Sequence, residues 1–360
     1  MQEIGSFFPI YLSRDTVRSL PEHVPDKQTY YYSLCREALL EIAKHYKTDN
    51  KRVIIPAYTC QTVIDPFVQE GWECRYYDVT RNLRIKSESI ITLSESFRPS
   101  VCIVHPFLGA DFTSEELDTI SHIKQSIGCL MVEDITQCIF TTVRHNVFDV
   151  VVGSYRKWYS IPDGGFLQLL RNNPSLVIPN ETYAENEPFV SLQSDAMYLR
   201  GVFLNTGDED IKEISRRLGN MSMSEINGLI SPHKMAGYSV KIMSNSDNDC
   251  IQKRRKENYK YLHDNLKYVS TITLVRSSDA EVVSAPLYFP IYVKDRSLFQ
   301  KMLCQEKIYA PVLWPIKTPE ILISPDVEFI FSHILMIPCD QRYGVADMER
   351  VVEVIKKTRT

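Results

Sequence analysis

The stretch FDVVVGSYRKWYSIPDGGFLQLL, residues 148–170, decides how this chain folds. Its apolar run Val150–Val152 has the composition of a buried strand. A second apolar run, Phe166–Leu170, follows the breaker Pro162-Asp163-Gly164-Gly165 and reads as another strand. Between the two stand Ser154, Arg156, Lys157 and Trp158. A lysine just past a strand end is either a solvated surface charge or a reactive amine held in a pocket. Its neighbours must choose between the two.

Working outward, strand and helix signals alternate over residues 28–170. Strand-like RVIIPAY (52–58), ECRYYDV (73–79), SVCIVHPFLG (100–109) and CLMVEDITQ (129–137) are separated by helical patterns. The helical pieces are YYSLCREALLEIAKHY (31–46), which Ser33 is placed to open, QTVIDPFVQEG (61–71) and TSEELDTISHIKQSIG (113–128). In the last of these, Thr113 and Glu116 have capping-box spacing. Short apolar strands alternating with helices predict an α/β fold, a mainly parallel central sheet covered by helices. Ligands in such sheets gather at the carboxyl ends of the strands. His105, Asp134, Ser154 and Lys157 all follow apolar runs and are therefore predicted to share one edge.

Beyond residue 180 the pattern becomes helical and polar, and then mixed. A long helix is predicted through CIQKRRKENYKYLHDNL (250–266), with Tyr259, Leu262 and Leu266 on its apolar face. PLYFPIYV (286–293), RSLFQKMLCQEK (296–307), ILMIP (334–338) and VADMERVVEVIKK (345–357) complete an α+β segment. The expected organisation is an N-terminal arm (1–27), a large domain (28–240) and a smaller C-terminal α+β domain (241–360).

Composition narrows the function classes. The 360 residues are 44% hydrophobic and 24% charged, with a formal net charge of -4. That is ordinary for a globular protein and gives no basic face for nucleic acid. The start, MQEIGSFFPIYL, lacks the basic and long apolar regions of a signal peptide. No apolar stretch reaches the length of a membrane span, so a cytoplasmic protein without a membrane partner is expected. The nine cysteines are odd in number and scattered, which fits reduced thiols. No spacing suits a metal site.

Four pieces are therefore predicted to meet: SLCREAL (33–39), Asp134 with Gln137, Ser154 with Lys157, and Asp163-Gly164-Gly165. One cofactor uses all of them. Pyridoxal phosphate needs an amine for its aldimine, an acid beside the ring nitrogen and donors for its phosphate. Lys157 supplies the amine and Asp134 the acid. The Gln137 amide suits the ring's phenolic oxygen, and the Ser154 hydroxyl suits the phosphate. The helix start at Cys35 and Arg36 offers backbone N–H groups to the same phosphate.

These motifs resemble those of the DegT/DnrJ/EryC1/StrS family of sugar aminotransferases, fold-type-I pyridoxal-phosphate enzymes. YYSLCREALL resembles the family's Ser-Gly-Arg-x-Ala-Leu segment, and VIIPAYTC its Pro-x-x-Thr segment. VHPFLG is similar to Val-His-x-x-Gly, VEDITQ to Glu-Asp-x-Ala-Gln, and SYRK to Ser-x-x-Lys, with DGG following as the family's Gly-Gly. The resemblance implies transfer of an amino group from an amino acid, often glutamate, to a keto group on a nucleotide-linked sugar. It implies a homodimer with sites near the interface, to which Asn220 in RRLGNMSMSEINGL (216–229) is the candidate lent by the partner subunit.

Several positions depart from the family pattern. Cys60 stands where many members place the aromatic that stacks on the cofactor ring, leaving His105, Phe107 or Tyr58 for that role. Cys35 replaces a glycine, and Ile135 and Thr136 replace smaller residues. Arg156 is read as a substrate contact, with tuning of the amine and exposure to solvent as its alternatives. Arg342 in PCDQRYG (338–344) is either a carboxylate-binding residue or half of a structural ion pair. Tyr309 and Trp314 read as packing. Two other functions use the same residues: a pyridoxal-phosphate enzyme of different chemistry, such as a dehydratase, and a non-catalytic homologue that only binds a ligand or partner.

Overall fold

Val53–Ile55, Val101–Val104 and Val150–Val152 are buried at every position, which strands achieve when both faces of their sheet are covered. The computed structural model describes residues 2–10, 29–141, 145–179 and 182–358. The chain begins β1 (Ile4–Gly5), β2 (Thr29–Tyr32), α1 (Cys35–His45), β3 (Arg52–Pro56), α2 (Gln61–Gln69), β4 (Glu73–Tyr77), α3 (Ser87–Phe97) and β5 (Val101–Val104). It continues α4 (Ser114–Ile127), β6 (Leu130–Asp134), β7 (Val150–Ser154) and β8 (Gly165–Leu169). Four helices follow: α5 (Glu187–Thr206), α6 (Glu209–Glu225), α7 (Gly237–Ser244) and α8 (Asn248–Leu266). The rest is β9 (Ile272–Leu274), β10 (Phe289–Val293), α9 (Arg296–Gln305), β11 (Ile308–Tyr309), α10 (Pro325–His333), β12 (Ile334–Ile337) and α11 (Val345–Lys357).

The predicted α/β architecture is present. A seven-stranded sheet has the order β2-β8-β7-β6-β5-β3-β4. β7, β6, β5, β3 and β4 are parallel, and β8 runs against both of its neighbours. The carboxyl ends of β2, β3, β5, β6 and β7 therefore share one edge with the start of β8. In α4 the capping box forms as predicted, Thr113 accepting from the Glu116 N–H and Glu116 from the Thr113 N–H. A cap of this kind contributes about 1 kcal/mol.

One local expectation fails. Ser33 does not open a helix at 31–46, because Tyr30–Tyr32 are drawn into β2 by antiparallel pairing with β8. The helix starts at Cys35, with Leu34 at its cap position and no side-chain cap bond. β8 then passes so close to this helix start that a Cβ on Gly165 would lie 2.4 Å from the Cys35 nitrogen. Gly164, at φ +138°, makes the turn that allows this approach.

The C-terminal lobe is built on the antiparallel sheet β12-β10-β9, with Tyr259, Leu262 and Leu266 of α8 and Val351, Val352 and Ile355 of α11 in its core. Residues 2–10 of the expected arm belong with this lobe: β1 pairs with β11, and Ile4 is buried in the same core. Residues 11–28 lie outside the described residues. The expected boundary at 240/241 falls inside α7, whose Met243 packs with the core of the large sheet. Among the described residues no helix is long and apolar enough to cross a membrane. All nine cysteines are unbridged; Cys250 and Cys304 are exposed, whereas Cys102, Cys129, Cys138 and Cys339 are buried.

Candidate functional site

The carboxyl edge of the large sheet opens into a cleft of about 200 Å³. Cys35, Arg36, His105, Asp134, Gln137, Ser154, Arg156 and Lys157 all line it. Eight candidates separated by up to 122 positions in sequence thus reach one place. They do so because the strands that precede them end at one level, as a parallel sheet requires.

Asp134 ends β6 and is buried. Its Oδ1 accepts from the Thr136 N–H at 2.9 Å, and its Oδ2 lies 3.6 Å from His105 Nδ1. The His105 ring, also buried, meets the Thr59 hydroxyl at 2.8 Å through Nε2. Burial pulls the imidazole below its ordinary range, against the raising effect of Asp134, which favours the neutral ring. Gln137 uses its Oε1 to accept from the Leu108 N–H at 3.3 Å. The Ser154 hydroxyl makes a long bond, 3.4 Å, to the Gly164 carbonyl.

Lys157 closes a short helical turn, Tyr155–Lys157, directly after β7. Its follower Trp158 is fully buried, donates its indole N–H to the Thr136 carbonyl at 2.9 Å and packs edge-on against Phe140. Trp158 is thus a structural anchor of the lysine turn and does not crowd the cleft. Arg156 points its guanidinium toward the Phe189 ring, 5.9 Å away. Burial first, and the charge of Arg36 second, pull it below the ordinary arginine value. Arg36 donates to the Ile226 carbonyl at 2.9 Å. Among the described residues, none of Arg36, Arg156 and Lys157 is ion-paired with a carboxylate.

Arg156 and Lys157 also line a second, larger cavity of about 540 Å³, between the N-terminal segment, α5 and the C-terminal lobe. Arg342 lines it too, but its guanidinium is fully engaged. It grips Asp340 through Nε at 2.7 Å and Nη2 at 2.9 Å, and donates to the carbonyls of Phe7 and Ser6, both at 3.0 Å, and of Gly5 at 3.5 Å. Of the two roles open to Arg342, the structural ion pair is the one formed, and no N–H is left over for a substrate carboxylate. Asn220 is exposed on α6 and does not reach the cleft of its own chain.

For the ring-stacking role, Tyr58 and Phe107 are buried beneath the cleft and do not line it, whereas His105 does. Trp314, read from sequence as packing, both lines the cleft and packs on Tyr58 at 4.8 Å. Thr59, Thr136 and Met223 are wall residues that the sequence reading gave no role. Thr59 follows β3, so the strand-end rule that found His105 also marks it.

The donor set fits pyridoxal phosphate. One cleft brings together an amine, a buried carboxylate, a neutral imidazole, hydroxyls from Thr59 and Ser154, and two guanidiniums. The Gly165 cradle sets the uncapped start of α1 in the cleft wall, where a phosphate is favoured.

No family model matches this sequence, and no curated protein matches it. The fold is nevertheless that of the DegT/DnrJ/EryC1/StrS-type sugar aminotransferases. PseC of Helicobacter pylori, an aminotransferase of pseudoaminic acid biosynthesis, matches with a TM-score of 0.67 over 99% of each chain at 9% identity. TlmJ, an aminotransferase from Streptoalloteichus hindustanus, matches with 0.62 over 91% of this chain and 85% of its own, at 14% identity. A DegT DnrJ EryC1 StrS aminotransferase from Brucella abortus gives 0.62 over the same shares, at 16% identity. At these identities the likeness establishes the fold.

Proposed function

We propose that the protein is a pyridoxal-phosphate-dependent aminotransferase acting on a keto sugar, with Lys157 as the covalent anchor of the cofactor. The observation that carries this reading is the meeting of Lys157, Asp134 and unpaired cationic groups in one cleft at the sheet edge. When bound, the cofactor supplies the electron sink that lets an amino group leave one carbon and join another.

The remaining chemistry belongs to the chain. Asp134, oriented by the Thr136 N–H, holds a proton at the cofactor's ring nitrogen. His105, fixed between Thr59 and Asp134, would supply the aromatic wall for the cofactor. Ser154, the first N–H groups of α1 and Arg36 bind the phosphate, with Cys35 at that helix start. Gln137 has its Nε2 left to reach the phenolic oxygen. The Lys157 amine would be the group that takes up and returns the substrate's proton.

Arg156 is the substrate contact in this reading. It is the free guanidinium beside Lys157, and it faces both cleft and cavity, so it suits the carboxylate of an amino-acid donor such as glutamate. The 540 Å³ cavity, walled by Phe7, Phe8, Tyr288 and Tyr309, offers room for an acceptor of nucleotide-sugar size. Met223 of α6 is exposed at the cleft rim and Met221 is exposed on the same helix, and we propose that a second copy of the chain covers α6, with Asn220 facing it.

The test is a half-reaction. Protein loaded with pyridoxal phosphate should convert to the amine form of the cofactor on addition of L-glutamate. It should then return on addition of a keto sugar nucleotide, with an amino sugar as product. A cofactor band that no amino acid changes would overturn the aminotransferase reading and leave dehydratase-type or non-catalytic binding.

A further inference from the structure

We infer that Arg255 and Gln341, both in the C-terminal lobe, position Lys157 and Asp134 through Trp158. The inference rests on the reading of Lys157 as the cofactor's anchor.

The contacts form a continuous chain. Arg255, on α8, is 1% exposed, yet among the described residues it has no ion-paired carboxylate. It donates through Nη1 to the carbonyls of Pro286 and Leu287, at 3.1 and 3.2 Å, and through Nε to Gln341 Oε1 at 2.7 Å. Its guanidinium carbon lies over the Trp158 ring, 4.4 Å from the ring centre. Gln341 turns its other end to the same residue: its Nε2 donates to the Trp158 carbonyl at 2.6 Å. The Trp158 indole N–H donates to the Thr136 carbonyl, and the Thr136 N–H donates to Asp134 Oδ1, both at 2.9 Å.

This chain touches both ends of the proposed chemistry. Trp158 is bonded in sequence to Lys157, and its own N–H closes the lysine turn on the Tyr155 carbonyl at 2.9 Å. Thr136 orients the Asp134 carboxylate. A rigid spacing between amine and acid is therefore set by two side chains from the other lobe, neither of which lines the 200 Å³ cleft. Arg255 does border the 540 Å³ cavity, and Gln341 lines neither, so Gln341→Glu is the decisive variant. A buried charge is an expensive way to fill space, and an apolar side chain would pack against an indole more cheaply. What the guanidinium adds is direction. Its planar donors fix the Gln341 amide so that the NH2 end must face Trp158.

Such a strut is a positioning device, since small misplacements of reacting groups are costly: a shift of about 1 Å can lower a rate about a hundredfold. It also ties the lobes together at the lysine turn, so the amine is set in place only when the C-terminal lobe is docked.

The test compares Gln341→Glu and Arg255→Met with the unaltered protein. Glutamate at 341 keeps an acceptor for Arg255 but cannot donate to the Trp158 carbonyl, so lobe packing is retained while the strut is cut. In cofactor-free protein, hydrogen exchange of the backbone over 155–159 should rise in both variants, while exchange across β5 and β6 stays unchanged. In loaded protein, the rate at which saturating L-glutamate converts the cofactor band should fall about tenfold to a hundredfold, with the half-saturating glutamate concentration unchanged. Wild-type exchange over 155–159 together with wild-type conversion in Gln341→Glu would overturn the inference. A lowered melting temperature with an unchanged conversion rate in folded protein would overturn it as well, leaving a packing role alone. If the unaltered protein forms no cofactor band on Lys157, the aminotransferase reading fails, while the exchange experiment still reads the strut.

Discussion

Arg156 and Arg342 line the same 540 Å³ cavity, yet they are opposites. Arg342 spends its donors on Asp340 and on three carbonyls of the N-terminal segment, and stacks on Phe8 at 4.4 Å. Arg156 sits beside the Phe189 ring with another arginine, Arg36, as its largest charged influence. The two nearby aspartates differ in the same sense. Burial would raise Asp340, but Arg342 and then Arg255 hold its carboxyl below the ordinary range. Asp163 in the Gly-Gly turn accepts from the Ala236 N–H, and burial pushes it up to about 6. Saturated charges hold a fold together. Charges left unpaired at strand ends are where a ligand's opposite charge belongs.

The largest effect expected of this contrast concerns Lys157. Lys157→Met should lower amino transfer by at least about a hundredfold, the usual weight of a positioned acid–base group, with an unchanged far-ultraviolet circular dichroism spectrum. Transfer within tenfold of wild type would remove the lysine from the chemistry.

Next comes the saturated arginine. Arg342→Ala leaves Asp340 buried without its partner and should cost about 3–5 kcal/mol in urea unfolding. Because the Asp340 carboxyl is depressed in the fold, its contribution is present above the unfolded value of about 3.9 and is lost as pH falls toward the folded one. Arg342→Ala should therefore flatten the acid limb of the stability profile. A neutral effect would mean that the clamp is ornamental.

Asp163 predicts the reverse slope. Its folded value lies above the unfolded one, so its contribution is complete below about pH 4 and is lost as pH rises through about 6. The loss is about 3 kcal/mol by that difference. Asp163→Asn should keep an acceptor for Ala236 and abolish this slope between pH 4 and 7. An unchanged slope would place the titration elsewhere.

The smallest effect is the most specific. Arg156→Met should raise the half-saturating concentration of the amino donor about tenfold to a hundredfold, the weight of a charge-assisted bond. The cofactor band should persist. Weaker cofactor binding with an unchanged donor requirement would reassign Arg156 to the phosphate.

Much of this arrangement was legible in the chain. Apolar runs at Val101–Val104, Leu130–Val132 and Val150–Val152 announce buried parallel strands, and His105, Asp134 and Ser154, one or two residues beyond them, mark the working edge. What the pattern hides is whatever depends on distant partners. Tyr30–Tyr32 continue a helical periodicity locally but become a strand through pairing with β8, 135 positions on. Trp158 stands next to the lysine in sequence, but its buried role depends on Arg255 and Gln341, which no local spacing connects to it. Arg342 was open between two roles until residues 5–7 came to meet it.

The central claim is that Lys157 anchors the cofactor, and covalent trapping tests it most directly. Protein incubated with pyridoxal phosphate and reduced with borohydride should carry one cofactor-derived adduct, found by mass spectrometry on the peptide containing Lys157. An adduct on another lysine, or equal trapping by Lys157→Met protein, would contradict it.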